Sequence, residues 1–115
     1  MSDLKKITEK VIRFRDEREW LQFHNPKDMA ISLCLEAAEL LEHFQWKTPE
    51  QVQAHAVSHR EELADELADV ACYLLELSAN LGIDLSQAIE NKMKKNALKY
   101  PVEKSKGRIT KYNQL

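Results

Sequence analysis

Residues 58–82 read SHREELADELADVACYLLELSANLG, a block of acid running directly into an apolar helix. Five carboxylates, Glu61, Glu62, Asp65, Glu66 and Asp69, fall within nine residues. On a helix, Glu62, Asp65, Glu66 and Asp69 stand at i, i+3, i+4 and i+7 and project from one face. Like charges at those spacings repel, each i,i+4 pair by roughly 0.2–0.5 kcal/mol. A solvated face relieves that repulsion with interleaved Lys or Arg, and this face has none, so a cationic partner is expected. Leu63, Leu67, Val70, Leu74, Leu77 and Leu81 recur at alternating spacings of four and three, the pattern of a helix lying along a bundle seam. Glu62, Glu66 and Asp69 each precede a seam residue and are turned about 100° from it. They are expected on the flank of the buried stripe, within reach of a crevice between helices. Ala64, Ala68 and Ala71 line the other flank and would let a neighbouring helix approach closely.

Upstream, Glu36 and Glu39 stand one turn apart in LEAAELLEHFQW, beside Leu33, Ala37 and Leu40. If the two helices pack antiparallel, Glu36 and Glu39 face Glu66 and Asp69 and surround one point with hard oxygen donors. Such a set suits Mg²⁺, with Mn²⁺ as a substitute, over metals that favour nitrogen or sulfur. Mg²⁺ keeps waters and commonly binds through substrate phosphates, so an all-carboxylate site points to phosphate chemistry.

The rest of the chain reads as further helices. A first helix is predicted over 3–22, from Leu4, Ile7, Val11, Phe14 and Leu21, with Arg18 interrupting the stripe. Asn25 and Pro26 cap and open a second helix over 26–45. Thr48 and Pro49 repeat that signal for a short helix to about residue 57. Ser58 and Glu61 read as a capping box that starts the acidic helix, and Gly82 supplies its left-handed stop. Asp84 caps a last helix through Leu85, Ile89, Met93 and Ala97, which must end before Pro101. With two glycines and no alternating β-branched runs, the chain is expected to be all-α, a single-domain bundle of four to five helices over 1–101 with a basic tail over 102–115. Apolar stripes on both the first helix and the acidic helix exceed what five short helices can bury, so a homo-oligomer is expected.

Charge and composition exclude other classes. Seventeen basic against nineteen acidic residues, a net charge of -2, give no footprint for nucleic-acid binding. No apolar run approaches the ~18 residues a membrane span needs. Cys34 and Cys72 lie in apolar helical runs without metal-binding company and read as reduced core residues of a cytoplasmic protein. His55 and His59 are spaced like a zinc pair, but a helix break at Ser58 separates them and no third ligand is near. His43, four residues after Glu39, reads as solvated. A di-iron bundle would need Glu-x-x-His on two helices, and neither acidic pair has a His at i+3.

The Glu36-x-x-Glu39 and Glu66-x-x-Asp69 pairs resemble the ExxE…ExxD signature of the all-α nucleoside triphosphate pyrophosphohydrolases, the MazG-like superfamily, and within it the dCTP pyrophosphatase group. FRDEREWLQFHNPKD at 14–28, EHFQW at 42–46, DVACYL at 69–74 and NKMKKNALKYP at 91–101 carry the resemblance, which covers about residues 11–101. It departs at Lys99, where Arg is expected as often; the charge is kept, but the bidentate geometry of Arg is not. The resemblance implies Mg²⁺-dependent hydrolysis of a nucleoside triphosphate between the α and β phosphates, with Glu36, Glu39, Glu66 and Asp69 holding the metal in a dimer or tetramer. Glu62 and Asp65 then take outer-shell or water-holding roles. Spacing leaves the general base open among Glu36, Glu39, Glu62 and Asp65. Lys92, Asn96 and Lys99, at i, i+4 and i+7, form a stripe suited to phosphates. Trp46 and Tyr73 flank the site and could stack on a base, and the resemblance adds Trp20, His24 and Tyr100. The competing reading is a non-catalytic dimerisation or adaptor module whose acidic face recruits a basic partner.

Overall fold

The computed structural model describes residues 3–115, so the first two residues of the expected domain lie outside it. The described residues form helices α1 (Asp3–Glu17), α2 (Pro26–Glu42), α3 (Pro49–Ser58), α4 (Arg60–Asn80), α5 (Leu85–Lys99) and α6 (Val102–Ser105), with 3-10 turns at Leu21–Phe23 and Tyr112–Gln114. No strand occurs among them. The all-α expectation holds, and the helix beyond the expected four to five is the single turn α6 within residues 102–115. The chain divides into two compact units, Met1–Gly82 and Ile83–Leu115.

Local chemistry sets most helix boundaries. Asn25 accepts from the Asp28 N–H with Pro26 in the first turn, and Asp84 accepts from Gln87 N–H to start α5. Thr48 and Gln51 form a reciprocal capping box at α3. Thr48→Ala should lower the unfolding free energy by about 1 kcal/mol, read as a lower urea midpoint, whereas Thr48→Ser should be nearly neutral. Gly82, at φ 70, follows α4 as expected.

Three boundaries differ from the sequence expectation. α1 stops at Glu17 because the Trp20 and Glu19 N–H groups bond back to the Arg15 and Asp16 carbonyls at 3.1 and 3.0 Å. Glu19 takes φ 54 to close this Schellman turn. α2 ends at Glu42, and the residues after it reach a second left-handed position, Trp46 at φ 66. The capping box expected at Ser58 is absent: α3 continues through Ser58, whose hydroxyl turns back to the His55 carbonyl and meets His59 Nδ1 at 2.7 Å. His59 joins α3 to α4 with no side-chain cap.

Within Met1–Gly82, α4 is the central helix, with α2, α1 and α3 packed on it. Partners on α4 fall in number as those on the preceding chain rise: His24 meets Glu76, Ser32 bonds Tyr73, and Glu39 neighbours Glu66. α2 and α4 are therefore antiparallel. Among the described residues, the buried ones are Met29, Leu63 and Leu75 together with Arg15, Glu76 and Ser78. Met29, the most completely enclosed, supplies ~1.5–3 kcal/mol of hydrophobic stabilisation.

The seam expectation is corrected here. Leu67, Leu74 and Leu81 are 56, 39 and 51% exposed. The inward side of α4 carries the other half of that repeat, Leu63, Val70 and Leu77, together with Glu66, Tyr73, Leu75, Glu76, Ser78 and Asn80. A leucine repeat shows which residues share a face, but not whether that face meets its own chain or another. Cys34 and Cys72 are free, as expected of reduced residues, but their placement is corrected: both are exposed rather than in the core. No helix of the described residues is long and apolar enough to cross a membrane.

Candidate active site

Antiparallel packing of α2 on α4 brings Glu36, Glu39 and Glu66 together, each offering a carboxylate oxygen within 4.8 Å of the others. Glu36 Oε2 and Glu66 Oε2 are shielded from solvent and have no hydrogen-bond partner. A buried, unpartnered carboxylate oxygen is costly, because it has surrendered water without a replacement donor. Burial pushes the Glu36 carboxyl above its usual range, helped by a hydrogen bond with Glu39 and by the charges of Glu39, Asp69 and Glu66. Glu66 moves the same way through burial, then the charge of Glu39 and a hydrogen bond to it, with His43 opposing. The donor set is all hard oxygen, two of its atoms lack partners, and its members destabilise one another's charged form. A hard divalent cation fits these residues.

Asp69 lies outside that trio of close oxygens but acts on Glu36 and Glu66 through its charge. Glu62 raises the proton affinity of His55 across the α3–α4 junction, and Asp65 is exposed. Tyr73 is half-buried beside the cluster. Burial and the charges of Glu36 and Asp69 push its phenol up, Ser32 opposes this with a hydrogen bond, and Glu76 adds a smaller upward push. Trp20 stands edge-on to Phe14 and 6.1 Å from the His24 ring. His24 gives Nδ1 to Glu76. Trp46 is 92% exposed. In the second unit, Lys92, Asn96 and Lys99 lie on α5; Lys99 Nζ sits 4.8 Å over the Tyr112 ring, and Tyr100 meets Tyr112 edge-on.

Sequence reasoning missed a histidine contact and a buried ion network. His43, expected in solvent, is half-buried with Nδ1 2.8 Å from His55 Nε2, and His55 stacks on His59 at 4.0 Å. Burial, His59, Lys47 and His43 together hold the His55 imidazole below its ordinary value. The network consists of Arg15, His24, Glu76 and Asn80. Its one visible signal was an acid, Glu76, set among leucines seven residues after Asp69.

The sequence model of the MazG-like family matches residues 31–115. The chain belongs to the MazG-like family. Among relatives of this MazG-like chain, it is 43% identical over 104 residues to dCTP pyrophosphatase 1 of Bos taurus, covering 89% of this chain and 62% of that protein. The human protein of the same name is 39% identical, with 89% and 61% covered. The chain thus spans about three-fifths of the length of these curated relatives. The fold is similar to the crystal structure of a pyrophosphatase from Archaeoglobus fulgidus, at TM-score 0.83 and 37% identity, covering 88% of this chain and 94% of that one.

Proposed function

We propose that this chain hydrolyses (deoxy)nucleoside triphosphates between the α and β phosphates, releasing a monophosphate and pyrophosphate, with dCTP or a related pyrimidine nucleotide as substrate. The observation that carries this reading is the pair of buried, unpartnered oxygens, Glu36 Oε2 and Glu66 Oε2, in a cluster of three carboxylates. An acidic face that merely recruits a basic partner would be solvated and would orphan no oxygen. The names of the curated relatives support the nucleotide class and the base.

Glu36, Glu39, Glu66 and Asp69 would hold Mg²⁺, or Mn²⁺ in its place. When bound, the cation would neutralise phosphate oxygens and lower the proton affinity of water. Glu39 is exposed and adjoins both Glu36 and Glu66. It is the carboxylate best placed to take a proton from water, while the two shielded glutamates keep their oxygens for the ion. Glu62 and Asp65 serve as outer groups. Lys92, Asn96 and Lys99, on α5 of the second unit, are a stripe whose charge and hydrogen-bonding groups suit phosphate oxygens. Trp20, Trp46, Tyr73 and His24 provide surfaces for the base. The activity would serve nucleotide-pool control or sanitation in the cytoplasm. Incubation with Mg²⁺ and a panel of triphosphates tests the reading: turnover ranked with dCTP or a modified pyrimidine first supports it, and silence with every nucleotide overturns it.

The chain acts as a homo-oligomer, a dimer or tetramer. The exposed Leu67, Leu74 and Leu81 on α4, with Ile31 and Leu35 on α2, support this. Leu67→Glu with Leu74→Glu should shift the light-scattering mass to that of a monomer while the helical circular dichroism is retained. A native protein already monomeric at micromolar concentration contradicts it.

A further inference from the structure

The polar inward side of α4 runs beyond the acidic cluster to Glu76, which is 4% exposed. Among the described residues, the groups that meet this carboxylate are donors. Asn80 Nδ2 donates to Oε2 at 3.1 Å, the Arg15 guanidinium lies 3.7 Å from Oε2, and His24 Nδ1 is 3.0 and 2.8 Å from Oε1 and Oε2. Arg15, itself 6% exposed, also donates to Asn80 Oδ1 at 2.7 Å and to Asp16, so its charge is fixed beside Glu76. A carboxylate can only accept. His24 Nδ1 therefore carries its hydrogen towards Glu76, and Nε2 is left as the free edge of the ring. Among the described residues His24 Nε2 has no partner, and the side chain is 22% exposed.

We propose that Glu76 is a positioning residue that locks His24 in its Nδ1–H tautomer, making His24 Nε2 an acceptor that selects nucleobases bearing an exocyclic amino group over those bearing a carbonyl there. This rests on the nucleotide-hydrolase reading above. Tyr73 feels the charges of Glu36, Asp69 and Glu76 together, so it bridges the cluster and the lock. Asp69 and Glu76 are seven residues apart, about 10.5 Å along the helix, comparable to the reach from the α phosphate to the base of an extended nucleotide. At that end the Trp20 ring stands beside His24 and offers a stacking face. In the Nδ1–H tautomer, Nε2 accepts from the amino group of cytosine but offers nothing to the carbonyl of uracil, which would leave two acceptors opposed.

Glu76→Gln should reverse the lock. Asn80 and Arg15 both meet Oε2, so the amide oxygen takes that place and the NH₂ turns to His24 Nδ1, which must then accept. The dCTP over dUTP ratio of kcat/KM should fall about tenfold, a hydrogen bond's worth, through KM with kcat for dCTP little changed. Long-range ¹H–¹⁵N spectra, with His24 assigned by its loss in His24→Gln, should show the Nδ1–H tautomer in the native protein and its reversal in Glu76→Gln. If Glu76→Gln does not fold, His24→Gln alone should collapse the same ratio. An Nε2–H tautomer in the native protein, or an unchanged ratio in a folded variant that still turns over dCTP, overturns the proposal and leaves the hydrolase reading standing. Absence of any turnover by the native protein overturns both.

Discussion

Glu66→Gln should lower triphosphate turnover by more than about a hundredfold while raising the melting temperature of the metal-free protein. Loss of an outer-shell partner typically lowers metal affinity or activity 10–100-fold, and Glu66 is proposed as a direct oxygen donor, so the loss should exceed that range. The stability gain has a separate cause. Glu66 is held among Glu39, Asp69 and Glu36, with a shielded oxygen that nothing satisfies. An amide of the same shape removes the charge and the repulsion. Such opposed changes mark a residue kept for function at the expense of the fold. Comparable activity in Glu66→Gln, or a lower melting temperature without metal, would contradict the placement.

The second large effect is a coupling between pH and divalent cation. Glu36 and Glu66 have folded-state proton affinities above the ordinary glutamate value of 4.5, chiefly through burial. From that value upward to the raised ones, the native state holds more protons than the unfolded chain, so stability falls as pH rises through this window. Above it, the metal-free protein carries the full repulsion. A cation that binds only the native state stabilises it by about 2.7 kcal/mol at a hundred times its dissociation constant, and protons compete for the same oxygens. Mg²⁺ or Mn²⁺ should therefore raise the melting temperature most near neutral pH and least near pH 4.5. A shift independent of pH, or none with either ion, would contradict the site.

What could be read from the sequence was whatever is local along a helix. The i,i+3 spacing singled out Glu36 with Glu39 and Glu66 with Asp69, of which the structure brings the first three together, and the caps at Asn25, Thr48 and Asp84 were read from residue type beside a proline or an apolar run. Pairings distant in sequence were not legible: Arg15 and Asn80 touch across 65 positions, and no periodicity reports that. Glu76 was hidden because its leucine neighbours marked the segment as apolar, although the stripe 66, 69, 73, 76, 80 keeps the same alternating spacing. The orientation of α4 was misjudged for a related reason. Leucine and polar stripes lie one residue apart, and the burial of Glu66, Tyr73, Glu76 and Asn80 in place of Leu67, Leu74 and Leu81 depends on Arg15, His24 and Asn80 being available to satisfy Glu76. Ser58 misled because a capping box needs a non-helical serine, and α3 holds that residue within its last turn.

The most direct measurement is ³¹P NMR of the products formed from dCTP and Mg²⁺ by the native protein, with Glu66→Gln as control. Equimolar monophosphate and pyrophosphate, absent in the control, is the expected result. Formation of dCDP and orthophosphate, or no product from dCTP or any other triphosphate, would contradict it.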